Sequence, residues 1–285
     1  MIRQGCRAAL LLSVLLGACS AQASQRVITL APHLAELVAA VGAADALVGV
    51  SRYSDHPPAL RELPEVGDAF QFNEELILTL RPTLVLAWGG GTPVSEVERM
   101  RELGLRVDVV EVQRLPDVAE AMRQIGVLLN RSEAAAAAAN AFEQHLQALR
   151  AHSADPVRVF YQVSASPLYT LSDAHVASDV IRWCGGRNVF ADAPVIAPQV
   201  SRESVVAARP ELLLYSSAAG AAPWQRLHHI PAVAGGHLYQ LPADWLTRPG
   251  PRLLLGTERV CEYVAAVRSA RSAPAGSHHA TGDGQ

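Results

Sequence analysis

Apolar residues come in two rhythms along this chain: short unbroken runs, and longer stretches where they recur every three or four positions. Unbroken runs bounded by turn residues predict buried strands, and the slower rhythm predicts one face of a helix. Residues 26–30 form a first apolar, partly β-branched run that ends before Pro32. Leu34, Leu37, Val38 and Val41 then mark a helix closed by Gly42. Runs at 47–50, 84–87 and 107–110 predict three more strands, with helices at 94–103 and 118–129. Strand alternating with helix predicts a parallel α/β sheet whose ligands lie at the carboxyl ends of the strands. Ser132 opens a different stretch: Glu133, six alanines, Asn140 and a mixed pattern reaching Arg150. With Ser132 as N-cap and alanine as the best helix former, this predicts one helix of about twenty residues, roughly 30 Å long. A flexible linker would carry glycine, serine or proline instead. The pattern then restarts, with strands at 157–163 and 237–241, a helix at 176–184 ending in Gly185-Gly186, and a closing helix at 252–267.

One phrase occurs twice. Asn73-Glu74-Glu75-Leu76-Ile77 continues to Arg81-Pro82 and runs into Leu84-Val85-Leu86. Ser201-Arg202-Glu203-Ser204-Val205 continues to Arg209-Pro210 and runs into Leu212-Leu213-Leu214. Glutamate and proline keep one offset of 128 residues (75 to 203, 82 to 210). Each copy predicts a short helix stopped at the proline and then a buried strand. Repetition at a fixed offset is a signature of duplication, and two copies predict two similar lobes rather than a solenoid. The chain therefore divides into an N-terminal α/β lobe over 24–130, a connecting helix within 131–155, and a C-terminal α/β lobe over 156–270. From 271 to 285 it turns small and polar, which predicts a disordered tail.

The first 23 residues predict an export signal. Arg3 and Arg7 precede an apolar run over 8–16 that is too short to span a bilayer. Two processing sites follow: Leu16-Gly17-Ala18-Cys19, where the cysteine would carry a lipid anchor, and Ala21-Gln22-Ala23. Either one predicts a periplasmic protein, lipid-anchored or soluble. Export also changes how the cysteines read. Cys6 and Cys19 belong to the signal, leaving Cys184 and Cys261 in the mature chain. In an oxidising compartment that pair favours a disulfide over a metal site or a nucleophile, with two buried thiols as the alternative. Its 77-residue loop makes it worth about 4 kcal/mol on the chain-entropy model. At 285 residues, half of them hydrophobic and 18% charged, the chain has the composition of a globular protein with full cores. A net charge of −3 without a basic stripe argues against nucleic acid as a partner. There is no phosphate-binding glycine loop, no HExxH and no histidine-rich acidic loop, so no resident cofactor or metal is expected.

Four strings carry a resemblance: 51–57 (SRYSDHP), 84–90 (LVLAWGG), 184–190 (CGGRNVF) and 198–203 (PQVSRE). They resemble the periplasmic cobalamin-binding proteins of vitamin B12 ABC importers, over nearly the whole mature chain from about residue 27 to 267. The glutamate-to-proline phrase alone is shared more widely, with helical-backbone binding proteins for siderophores, haem and metals. The resemblance implies two Rossmann-like α/β lobes joined by one long helix, a ligand cleft between them, and a monomer. It implies a corrinoid as cargo and the membrane subunits of an ABC importer as partners, with haem or a ferric siderophore as the alternative cargo on the same scaffold.

Carried over by position, the resemblance makes Tyr53, Trp88, Tyr169 and Trp245 cleft aromatics. Flat rings suit a macrocycle, because they bury much area with few rotatable bonds. Each can equally be an ordinary core or surface aromatic. Two tryptophans usual in the family are missing: Val66-Gly67 is followed by Asp68-Ala69-Phe70, and Ile196-Ala197 precede Pro198. Phe70 or Phe72 is the candidate for the first missing ring. His33, just past the first strand, is either a helix-start residue or a ligand for a cobalt, a haem iron or a metal ion. His228-His229 and His278-His279 read as surface and tail residues. Glu75 and Glu203, one per lobe, are either helix-start residues favoured by the dipole or acidic contacts for the two importer subunits. A hydrolytic enzyme is the reading from another class, using Glu75 with Glu203 or Ser54-Asp55-His56. Adjacent residues do not normally form a proton relay, and symmetric glutamates in separate lobes lack the unlike environments that acid–base pairs need.

Overall fold

The asparagine and serine that open the two repeated phrases act as helix caps, and each lobe is built outward from that point. The computed structural model describes residues 25–69, 71–217 and 220–272. Its first lobe runs β1 (Val27–Thr29), α1 (Pro32–Ala40), β2 (Leu47–Val50), α2 (Glu74–Thr79), β3 (Leu84–Trp88), α3 (Val94–Glu102), β4 (Val107–Val110) and α4 (Asp117–Leu128). Helix α5 (Ser132–Ala148) follows. The second lobe runs β5 (Val157–Gln162), a short antiparallel hairpin of β6 (Ser164–Ala165) and β7 (Leu168–Tyr169), α6 (Val176–Trp183), β8 (Gly186–Asn188), α7 (Arg202–Ala208), β9 (Leu212–Tyr215), α8 (Pro231–Ala234), β10 (Leu238–Gln240), α9 (Asp244–Thr247) and α10 (Leu253–Ser272).

Both main sheets are parallel, with orders β2-β1-β3-β4 and β8-β5-β9-β10. Setting the hairpin aside, each is the second, first, third and fourth strand of its own lobe, so the duplication extends to topology. It extends to single atoms as well. The Leu76 amide donates to Asn73 Oδ1, and 128 residues later the Ser204 amide donates to Ser201 Oγ. Arg81 and Arg209, each just before its proline, take left-handed φ values of 44° and 47°. The following proline disfavours the right-handed helical region there, which stops both helices just short of the proline. Val27 then pairs with Leu84 in the first lobe, and Val159 with Leu212 in the second.

One apolar cluster runs through both lobes, taking in Val27, Leu34 and Leu37 of the first, Phe142 and Leu146 of α5, and Val159, Val180, Val260 and Val264 of the second. Two smaller clusters, around Ile28 and Met100 and around Phe160 and Trp224, line the outer faces of the sheets. Helix α5 is fixed at both ends. Gly126 lets it lie against α4, since a Cβ there would sit 2.1 Å from that of Ala135. At the other end the Trp183 indole donates to the Leu146 carbonyl, and Arg150 lies 4.8 Å over the same ring.

Several sequence expectations shift by a few residues. Ser132 is the first helical residue of α5 rather than its N-cap; Arg131 holds the cap position and supplies no side-chain bond. The helix has 17 residues, not about twenty. Helix α10 continues to Ser272, so Arg271 and Ser272 are helical instead of tail: Arg271 is ion-paired with Glu211 and Asp155, which extends the helix. The signal with Cys19, and the tail from 273, lie outside the described residues. Cys184 and Cys261 form a disulfide between the end of α6 and α10, excluding the free-thiol alternative. Among the described residues no helix is long and apolar enough to cross a membrane.

Candidate ligand-binding cleft

Parallel sheets leave their functional side chains at the carboxyl ends of the strands, and a largely apolar cavity is found there. It has a volume of about 300 Å³ and collects the ends of β1 (Leu30 to His33), β2 (Ser51 to Tyr53) and β3 (Trp88, Thr92) from the first lobe. The segment after α9, Thr247 to Pro249, closes it from the second. The cavity therefore lies between the lobes.

Tyr53, Trp88 and His33 meet in this wall. Tyr53 sits at φ 68° and is 66% exposed, a large ring held out over the cavity mouth. Trp88 closes β3 against a glycine turn; a Cβ on Gly91 would lie 2.1 Å from its ring, so only glycine allows the indole this position. The Trp88 amide donates to Thr92 Oγ1 at 3.0 Å, pinning the turn. His33 is 2% exposed and meets the Trp88 ring edge-on, with centroids 5.0 Å apart. Burial, and then the charge of Arg248, push its pKa down to about 3, so the imidazole is neutral. His33 Nε2 and Trp88 Nε1 are buried polar atoms with no hydrogen-bonding partner on the protein.

The other candidates separate. Tyr169, on β7, forms a bridge with Gln199 and is half-buried, but does not line this cavity. Trp245 packs half-buried against the shared core, and its neighbours Thr247 and Arg248 line the cavity in its place. Four-residue α9 turns the indole inward, a local geometry that position in the sequence does not reveal. Phe70 lies outside the described residues, though its neighbours Asp68 and Ala69 line the cavity. Phe72 is 7% exposed in the first lobe's outer core and is not a cleft ring. Glu75 and Glu203 are exposed in the first turns of α2 and α7. Asp55 of the Ser54-Asp55-His56 string is bonded to Arg248, so that string forms no proton relay. Among the described residues no cluster of His, Cys, Asp and Glu could hold a metal ion.

Sequence reading missed a charge network beside the cavity. Arg252 makes a two-pronged contact to Glu36 at 2.9 and 2.7 Å. Arg248 reaches Asp55 and Asp244 at 3.0 Å each, and Glu36 at 3.7 Å. Glu36 and Asp55 belong to the first lobe and the others to the second, so the network ties the lobes together. Burial alone would raise the Asp55 carboxyl, but the Arg248 hydrogen bond and the charges of Arg248 and Arg252 hold it below its ordinary value. The available signal was Glu36 itself, an acid between Leu34 and Leu37 on the buried face of α1.

Comparison with known proteins adds relatives to this geometry. A family model described as periplasmic binding protein matches residues 27–245. A vitamin B12-binding protein of Vibrio vulnificus is 37% identical over 254 residues, covering 87% of this chain and 92% of the relative. Among solved structures, the periplasmic vitamin B12 binding protein BtuF of Vibrio cholerae is 39% identical, with a TM-score of 0.80 over 86% of this chain and 98% of that one. The periplasmic haem-binding protein RhuT from Roseiflexus sp. RS-1 shares the fold at 22% identity, with a TM-score of 0.75 over 86% of this chain and 99% of its own.

Proposed function

The chain belongs to the periplasmic binding protein family, and from that premise we propose that it captures cobalamin or a related corrinoid in the interlobe cleft and delivers it to an ABC importer. It is a binding protein and not an enzyme, and the corrinoid is cargo rather than a cofactor. One observation carries the reading. A chain 39% identical to a vitamin B12 binding protein places Tyr53 and Trp88 in one cavity wall, with His33 edge-on behind the indole. Aromatic faces bury macrocycle area at little entropic cost. Haem or a ferric siderophore on this scaffold is the competing reading, and the likeness to RhuT supports it at the level of fold alone. Incubation with equimolar cyanocobalamin and haemin, followed by gel filtration, distinguishes them. The corrin absorbance should co-elute with the protein while haemin is left behind; the reverse assigns the cleft to haem.

Delivery needs a docking surface, and Glu75 and Glu203 supply one exposed carboxylate per lobe at the same position of the repeat. Two pseudo-symmetric acidic contacts suit the two copies of a basic patch that a two-fold permease presents. Charge reversal at both positions should leave corrinoid affinity intact and abolish binding to the importer. Normal docking by the doubly reversed protein at physiological salt would reduce both glutamates to helix-start residues. In the periplasm the protein acts as a monomer, and Cys19 is its lipid-anchor site; mass analysis of the mature N-terminus reads the anchor directly.

A further inference from the structure

The cleft has cations in its wall, yet each is already neutralised. Two arginines line the cavity, Arg52 and Arg248. Arg52 is bonded to Asp68 at 2.9 Å and lies 3.8 Å from Glu65. Arg248 is held between Asp55 and Asp244 at 3.0 Å each. Immediately behind it, Arg252 is closed on Glu36, with Asp55 and Asp244 at 3.7 and 3.6 Å. Three guanidinium groups therefore face five carboxylates; Asp68 lines the cavity and the other four stand behind the arginines, so the wall and its backing together are net negative. The other polar side chains of the wall, among them Ser51, Tyr53, Thr92, Thr247 and the neutral His33, add no charge.

From this arrangement, and resting on the reading of the cleft as a macrocycle site, we propose that the protein selects its ligand by charge. It takes a macrocycle whose peripheral arms are uncharged amides and rejects one whose arms are carboxylates. The residues that set this preference are Asp55 and Asp244 at Arg248, and Asp68 at Arg52. A ligand carboxylate at either arginine has to compete with a protein carboxylate already held there by a charge-assisted bond. Otherwise it approaches a cluster whose two excess negative charges lie in and just behind the wall, and like charges brought together out of water are unfavourable. An amide arm avoids both penalties, because it carries no charge and can both donate and accept hydrogen bonds. Glu36 is 3% exposed and locked by two bonds to Arg252, so the excess charge cannot simply swing away.

The test is equilibrium titration with cyanocobalamin and with its monocarboxylic acids, in which one peripheral amide is hydrolysed. Shape is conserved and one charge is added. At pH 7.5 the acids should bind at least about tenfold more weakly, a step of 1.4 kcal/mol. The gap should narrow with added salt. It should also narrow in Asp55→Asn and, separately, in Asp68→Asn, which lies away from the lobe-to-lobe contact. The double variant should gain affinity for haemin. Acid and amide binding within about twofold of each other in the unaltered protein overturns the proposal, as does a gap unchanged in both variants. Should cyanocobalamin itself fail to bind, the corrinoid reading falls and the charge rule is judged on haemin against its uncharged dimethyl ester. Preference for the ester then supports the rule, and preference for haemin overturns it.

Discussion

His33 concentrates the chemistry of the cleft in one side chain: neutral, buried, and without a partner for Nε2. In the unfolded chain the same imidazole titrates near 6.5. Below that pH the unfolded chain takes up a proton that the folded protein refuses down to about pH 3. The stability that His33 confers is therefore fully present above pH 6.5 and is lost as the pH falls, by roughly 1.4 kcal/mol per unit. Half-buried His175, which desolvation pushes down to about 4, acts in the same direction. Urea unfolding at pH 7 and pH 5 should show His33→Gln losing less stability between the two than the unaltered protein; an identical pH slope would mean that His33 is solvated. For Trp88, replacement by alanine should weaken cobalamin binding by about 1–3 kcal/mol through lost aromatic burial. Its cost in stability should fall below the roughly 3–5 kcal/mol of a core tryptophan. Unchanged affinity with a badly destabilised fold would make Trp88 a core residue. Trp88 and Tyr53 were legible as cavity-wall residues because one ends a strand and the other lies in the turn after one. Trp245 was not, since which face a four-residue helix turns inward depends on packing from distant segments.

At the scale of elements, the repeated phrase was the strongest signal in the sequence, because its parts obey local rules. A cap, a short helix, a proline stop and an apolar strand are each dictated within a few residues. The structure keeps them at one offset down to the cap bonds of Asn73 and Ser201. Long-range pairing is a different matter. Glu36 and Arg252 lie 216 residues apart, and no local pattern links them. Removing Glu36 takes away the two close bonds of Arg252 and leaves it only Asp55 and Asp244 at 3.7 and 3.6 Å, so Glu36→Ala should cost about 3 kcal/mol in urea unfolding. The double variant with Arg252→Ala should be less damaging than the two single losses added together. Strict additivity would show that the pair is not coupled.

For the whole molecule, one apolar cluster passes from the first lobe through α5 into the second, and the charge network lies beside it at the cleft. Alternating strands and helices announced two lobes and a stiff connection, but the shared core was not visible in advance. Each lobe's helices carry apolar faces that a sequence reading assigns to that lobe alone. The cleft follows from this architecture, since the strand ends of one lobe and the segment after α9 of the other meet at a single place. The central claim is that this place binds a corrinoid, and isothermal titration of the purified protein with cyanocobalamin tests it most directly. The account predicts one site per chain, a dissociation constant below about 1 µM, and a negative heat-capacity change from macrocycle burial. No binding at about 100 µM cyanocobalamin, together with stoichiometric uptake of haemin by the same preparation, would contradict it.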